Sequence, residues 1–239
     1  MSGSLNGHRP GPSWPAETLL GRVRPESRRA MLELGTAVTF PPNRVILRQG
    51  DRDRHVYLLL SGVVKVTRVD GDQDALLAIR VAGDMVGEMA ALEDKPRSAS
   101  VVTSVGTEAR VVSMAELTAL VNERPDVALE IMRMISERLR WATCRRVDIT
   151  TQPAPVRLSR ILLEIARVYG YRTAAGWSLG VPLRQSELAS LAGVALRTAE
   201  KILHELGDEG VISRGYRRLM ITDLDALRRA ADLVEDIPY

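Results

Sequence analysis

The residues best suited to chemistry lie in one run, Gly83-Asp84-Met85-Val86-Gly87-Glu88-Met89-Ala90-Ala91-Leu92-Glu93-Asp94-Lys95-Pro96-Arg97-Ser98-Ala99-Ser100. Its composition reads as a strand, a glycine turn, one turn of helix, a loop and a second strand. Gly87 lets the backbone approach a ligand closely. The helical turn that follows, with Met89 and Ala90 in it, would aim free N–H groups at an anion. Arg97 offers a planar fork for two phosphate oxygens. Glu88 is an acceptor like phosphate, so its use would be to accept from a ribose hydroxyl. With the Ser98 hydroxyl nearby, the set suits a sugar phosphate. The same residues permit a plainer arrangement, in which Glu88 and Arg97 pair and staple the loop without a ligand.

A second constellation occupies residues 183–206, Leu183-Arg184-Gln185-Ser186-Glu187-Leu188-Ala189-Ser190-Leu191-Ala192-Gly193-Val194-Ala195-Leu196-Arg197-Thr198-Ala199-Glu200-Lys201-Ile202-Leu203-His204-Glu205-Leu206. It reads as helix, glycine turn, helix. Leu188, Leu191, Ala192, Val194, Ala199, Ile202, Leu203 and Leu206 form an inner face, and small Ala189 lets the two helices approach. Arg197, Thr198 and Lys201 then fall on the outer face of the second helix, where major-groove readers keep their base contacts. Arg184 and Gln185 open the first helix. Beyond it, Arg214-Gly215-Tyr216-Arg217-Arg218 forms a basic turn between two short extended pieces, Val211–Ser213 and Leu219–Thr222, as a wing that touches phosphate would.

Other chemistries find little support. No Walker motif, metal-ligand cluster or nucleophile–base pairing stands out, which weighs against an enzyme acting on nucleotides. The single cysteine, Cys144, excludes an internal disulfide and a cysteine-only metal or iron–sulfur site, and it suits a reducing cytoplasm. Cys144 reads as a packing residue. His55 and His204 read as ordinary surface histidines, and nothing around them suggests haem or metal. A formal charge of +3 and an isoelectric point near 9.3 permit a nucleic-acid partner. Aromatic residues at 4% argue against stacking on single strands. No apolar run approaches the ~20 residues of a membrane span.

Elements must hold these two sites in place. Residues 36–114 alternate short strand-forming runs (Val56–Leu60, Val63–Thr67, Ala75–Ile79, Ala109–Val112) with Gly/Asp turns, the pattern of an antiparallel sandwich or barrel. Ser113-Met114-Ala115-Glu116 is a capping box opening a short helix to about Val121. Pro125 fits the first turn of the next helix, and residues 126–149 contain neither Gly nor Pro. Ala128, Met132, Ile135, Leu139, Ala142, Arg146 and Ile149 recur at alternating spacings of four and three, an a/d seam. The seam predicts self-pairing, with packing on the barrel as the alternative. Thr150–Pro155 ends the helix and marks a hinge. The remainder is mainly helical, over Val156–Tyr169, Ser186–Ala192 and Ala195–Gly207, and Trp177 is expected to pack inside it. The organisation is thus a disordered tail (1–16), a barrel domain (17–125), a dimerisation helix (126–150) and a winged helix-turn-helix (151–239), an α+β chain.

The motifs also carry a family resemblance, from about Leu19 to Thr222. Gly87-Glu88-Met89-Ala90 with Pro96-Arg97-Ser98-Ala99 resembles the phosphate-binding cassette of cyclic-nucleotide-binding domains, and the C-terminal half resembles the Crp/Fnr transcription regulators. The resemblance implies an antiparallel β-roll or jelly-roll sensor, a long dimerisation helix and a winged helix-turn-helix. It implies a homodimer that binds an operator in double-stranded DNA under control of a cyclic nucleotide, cAMP first among them, with RNA polymerase as a further partner. It assigns Glu88 to the ribose 2′-hydroxyl and Arg97 and Ser98 to the cyclic phosphate. Two departures stand out. Where family members that bind cAMP read adenine with an adjacent Thr-Ser pair on the dimer helix, this chain has Ala142 and Thr143. On the second helix, Leu196, Arg197 and Lys201 replace a common Arg, Glu and Arg, so the usual family operator does not follow. A ligand-independent regulator, or one sensing a cyclic dinucleotide, remains the alternative.

Overall fold

The computed structural model describes residues 14–71, 73–215 and 218–232, with the backbone alone at Asp70, Gln73, Arg214 and Arg218. Two short helices, α1 (Leu19–Arg22) and α2 (Pro25–Glu33), precede β1 (Thr36–Phe40), β2 (Val45–Leu47), β3 (His55–Leu59), β4 (Val63–Asp70), β5 (Gln73–Val81) and β6 (Met85–Val86). Next come α3 (Glu88–Glu93), β7 (Ser100–Thr103) and β8 (Thr107–Ser113). The strands form two antiparallel sheets, ordered β1-β8-β3-β6 and β2-β7-β4-β5. Between them pack Leu47, Leu59, Val64, Val86, Val101 and Ala109. This is the antiparallel sensor expected from the alternating short strands. Two features were not expected. Helices α1 and α2 close one end of the sandwich, where Leu19, Leu20 and Met31 are fully buried beside Met85, Val112 and Val127; both are too short for a helical period to register. Residues 14–16, assigned to a disordered tail, are docked, and Trp14 Nε1 donates to the Leu60 carbonyl at 3.1 Å.

Helix α4 (Met114–Glu123) opens on the expected capping box: Glu116 N donates to Ser113 Oγ and Ser113 N to Glu116 Oε2. Helix α5 (Pro125–Thr151) starts at its proline and runs two residues beyond Ile149, breaking at Gln152 before Pro153. Val127, Ile131 and Met134 of α5 are buried against the sensor. The a/d positions mostly point elsewhere: Met132, Leu139 and Ile149 are 55%, 67% and 48% exposed, although Ile135 is partly covered. Packing of the whole seam on the barrel is therefore not what happens; an adjacent stripe does that work.

The C-terminal half contains α6 (Ala154–Tyr169), β9 (Tyr171–Thr173), β10 (Gly176–Ser178), α7 (Gln185–Ala192), α8 (Leu196–Asp208), β11 (Ile212–Gly215), β12 (Arg218–Ile221) and α9 (Leu224–Ala230). Its sheet runs β11-β12-β10-β9. Strands β9 and β10, three residues each, and helix α9 were not legible beforehand. Trp177 pairs with Ile221 and packs on the domain core, as expected. The two halves are docked. Leu76 and Ile79 of β5 are buried in the same cluster as Leu162, Leu188 and Leu203. The contact is polar as well: Leu76 N donates to Ser190 Oγ at 2.8 Å, Tyr169 Oη to the Ile79 carbonyl at 2.9 Å, and Lys65 Nζ to both Glu187 oxygens at 2.7 and 2.8 Å.

Candidate ligand cassette and DNA-facing helix

The cassette begins where β6 ends. Gly87 takes φ 87°, a left-handed backbone, and an added Cβ there would lie 2.8 Å from Arg97 Nη1. Glycine is required on both counts. The close approach lets Arg97 reach inward, and its residue is 3% exposed. Its Nη1 donates to the Gly87 carbonyl at 2.6 Å, its Nη2 to the His55 carbonyl at 2.5 Å and its Nε to Asp53 Oδ1 at 2.5 Å. Three of five guanidinium N–H groups are thus committed, leaving two for a ligand. Glu88 is 4% exposed; its Oε1 accepts from Arg138 Nη1 of α5 at 2.6 Å, while Arg138 Nη2 donates to the Met85 carbonyl at 2.9 Å. The simple staple between Glu88 and Arg97 is not formed. Each has another partner, because they face different walls, Arg97 the β3 edge and Glu88 the long helix.

Of the remaining cassette residues, Ala90 is buried, Met89 is 53% exposed and Ser98 is exposed. The Ser98 carbonyl accepts from Arg68 Nη1 at 2.9 Å. Gly87, Glu88 and Arg97 are therefore brought together and Ser98 sits at the rim. Ala142 and Thr143 are exposed on α5, and Thr143 Oγ1 donates back to the Leu139 carbonyl; no hydrogen bond or ion pair joins either to the cassette among the described residues. Three participants were missed by sequence reasoning. Neither Arg138 nor Asp53 carries a local sequence signal. His55 was read as a surface histidine. It lies instead beneath the cassette, its Nδ1 3.4 Å from Asp53 Oδ2 and its Nε2 buried without a partner among the described residues. Burial lowers its pKa against the pull of Asp53, with Arg97 lowering it further.

The second site is built as the spacing predicts. Gly193 at φ 62° caps α7, and Leu188, Ala189, Leu191, Ala192, Ala199, Ile202, Leu203 and Leu206 are all buried. Arg197 and Lys201 are exposed one turn apart on α8, Lys201 3.7 Å from Glu205, and Thr198 is partly buried beside them. Arg184 and Gln185 are exposed at the start of α7, where Arg184 N donates to Glu187 Oε2 at 2.7 Å. Strands β11 and β12 pair Gly215 with Arg218, so the wing hairpin exists. Its tip, with Arg217, lies outside the described residues, as do the Arg214 and Arg218 side chains.

The chain is similar to known proteins in both halves. Residues 37–124 match the cyclic nucleotide-binding domain and residues 156–230 the Crp-like helix-turn-helix domain. The Cyclic AMP receptor protein of Thermus thermophilus is 31% identical over 201 residues, covering 84% of this chain and 87% of that one. The chain belongs to the Crp/Fnr family of transcription regulators. A further member, the CRP-like cAMP-activated global transcriptional regulator of Mycobacterium tuberculosis, is 29% identical over 212 residues, 87% of this chain and 94% of its own. The fold is shared with the CRP-family regulator TTHB099 from Thermus thermophilus, at a TM-score of 0.70 and 24% identity over 82% of this chain and 96% of that one. The Crp-like helix-turn-helix domain and the regulator relatives point to a DNA-binding transcription regulator rather than an enzyme. No helix among the described residues is long and apolar enough to cross a membrane.

Proposed function

We propose that this Crp/Fnr regulator is a homodimer whose operator binding is set by a cyclic nucleotide, with cAMP the leading ligand. The observation that carries the reading is Arg97, a nearly buried guanidinium held behind Gly87 with two N–H groups uncommitted. Glu88 lies next to it for the ribose, and Ser98 at the rim for a second phosphate contact. The names of the Thermus thermophilus and Mycobacterium tuberculosis relatives, both of which refer to cyclic AMP, support the choice of cAMP. The loss of one hydroxyl at Ala142 leaves base recognition to other groups. On the DNA side, Arg197, Thr198 and Lys201 read bases, Arg184 and Gln185 flank them, and Arg214, Arg217 and Arg218 of the wing grip phosphate. RNA polymerase as a further partner, and a location in the cytoplasm, rest on the family alone.

Calorimetry with cAMP and cGMP tests the ligand. Saturable binding of cAMP is expected, and Arg97→Lys, which keeps the charge but loses the fork, should lower the affinity severalfold. No heat with either nucleotide at millimolar concentration overturns nucleotide control and leaves a ligand-independent regulator. The dimer is supported by the exposed stripe of Met132, Leu139 and Ile149. Leu139→Glu would place two like charges in that seam, so light scattering should report monomers; a dimer from this variant would remove α5 as the interface.

A further inference from the structure

A cavity of about 640 Å³ lies between the sensor, α5 and α6, within the ~300–1,000 Å³ range of small-molecule sites. Its walls come from both halves of the protein. They include Arg80 at the end of β5, Arg138, Arg140 and Trp141 of α5, and Glu164 and Arg167 of α6. Gly87, Glu88, Arg97 and Ser98 are not in its wall. Arg138 belongs to both sites, lining the cavity and donating to Glu88.

The cavity contains more positive charge than its own carboxylates neutralise. Arg138 is held by Glu88, with Asp84 of the cavity wall 3.7 Å away, and Arg22 at the cavity edge by Glu137. Arg80, Arg140 and Arg167 have no carboxylate within ion-pair distance among the described residues. Arg80 makes a single hydrogen bond among the described residues, Nη1 to the Ile79 carbonyl at 2.7 Å, although a guanidinium carries five N–H groups. Burial, and then the neighbouring Arg138, pushes its pKa down against smaller upward pulls from Tyr169, Asp84 and Glu88. Glu164, deep in the wall, makes no ion pair among the described residues; burial pushes its pKa up against smaller downward pulls from the Trp141 indole and from Arg167, Arg145 and Arg80. Tyr169, with its pKa pushed up to about 12 mainly by burial, stays a neutral hydroxyl. Met134, Ile161 and Ile165 supply apolar wall, and Arg145 lies 4.3 Å from the centre of the Trp141 ring.

We propose that this cavity is a second effector site, for a small organic anion whose carboxylate or phosphate engages Arg80 while its carbon skeleton lies against the Met134, Ile161 and Ile165 wall. The proposal does not depend on nucleotide binding at the cassette. Because the walls belong to both halves, the anion binds the docked arrangement better than an undocked one. It therefore shifts the chain toward docking by the ratio of those two affinities. Any DNA affinity that depends on docking changes by the same coupling.

The test uses a full-length Trp14→Phe/Trp177→Phe protein, in which Trp141 is the remaining indole. Succinate and glycerol 3-phosphate serve as the carboxylate and phosphate probes, titrated at constant ionic strength. A saturable change in Trp141 emission is expected with at least one of them at millimolar concentration, and which one responds identifies the head group. Arg80→Gln should weaken that response at least tenfold and Arg80→Lys at least threefold. Should Arg80→Gln not fold, the Arg80→Lys arm decides. No saturable change with either probe, or an undiminished response in the Arg80 variants, would overturn the proposal.

Discussion

The cassette and the face of α8 are both arginine-centred, yet they are built in opposite ways. Arg97 is 3% exposed and already bonded to a carboxylate and two carbonyls. Arg197 is exposed, with no hydrogen bond or ion pair to a described residue. On the proposed reading, a ligand at the cassette must fit around a rigid, pre-bonded guanidinium, so that Arg97 would serve stability and recognition at once. Arg197 would exchange water for a base edge or phosphate and contribute little to folding. Buried polar networks are costly to break from one side, whereas exposed charges are cheap to remove.

That contrast is broken most directly at Arg97. Arg97→Ala would strand the Gly87 and His55 carbonyls and leave Asp53, itself 36% exposed, without its partner, so urea unfolding should show a loss of ~1–3 kcal/mol. cAMP affinity should fall roughly 100-fold, the equivalent of one charge-assisted bidentate contact. A stability change below ~1 kcal/mol would mean the network is far weaker than its geometry. Glu88→Gln sharpens the same point with a smaller expected effect. The amide oxygen can still accept from a ribose hydroxyl, so affinity should fall less than for Arg97→Ala. Stability should drop because Arg138 loses the closer of its two carboxylate partners, with Asp84 remaining at 3.7 Å.

Arg197→Ala should behave in the opposite way. Its melting temperature should match wild type, while operator binding weakens by ~1–3 kcal/mol and preference relaxes at one base per half-site. Equal losses on operator and scrambled duplex would show that Arg197 only grips phosphate, and the reading of bases would pass to Thr198 or Lys201. Smaller still is the Lys65–Glu187 contact between the halves, whose side chains are 15% and 19% exposed. Lys65→Met should cost about 1 kcal/mol or less and loosen docking, seen as faster amide exchange along α7 with the sandwich core unchanged.

The smallest effect concerns His55. Its folded-state pKa is lowered by burial, so the folded protein takes up a proton less readily than the unfolded chain. Stability is therefore unaffected well above pH ~6.5 and declines as the pH falls below it. The melting temperature of wild type should drop more between pH 7 and pH 5 than that of His55→Gln. Identical slopes would show that the imidazole is not the group responsible.

Local features of this chain were legible without coordinates. The capping box at Ser113–Glu116, the proline start of α5, the glycine turn at Gly193 and the inner face of α7 and α8 each follow from backbone angles or a helical period within a few residues. The Gly87–Ser98 cassette was legible for the same reason, since Gly87, Glu88 and Arg97 lie within one short segment. What could not be read was partnership across long separations. Asp53 and Arg97 are 44 residues apart, Glu88 and Arg138 are 50, and Leu76 and Ser190 are 114. Only the folding of two sheets against α5, and of the C-terminal half onto β5, brings these groups within hydrogen-bond distance. His55 shows the consequence: its neighbours in sequence suit an exposed turn, and only the tertiary structure closes the Arg97 loop over it. The sequence by itself determined which side chains could bind an anion or DNA, through composition and local period. The tertiary structure decided which of them are already bonded, because burial and contact depend on segments the local pattern cannot see.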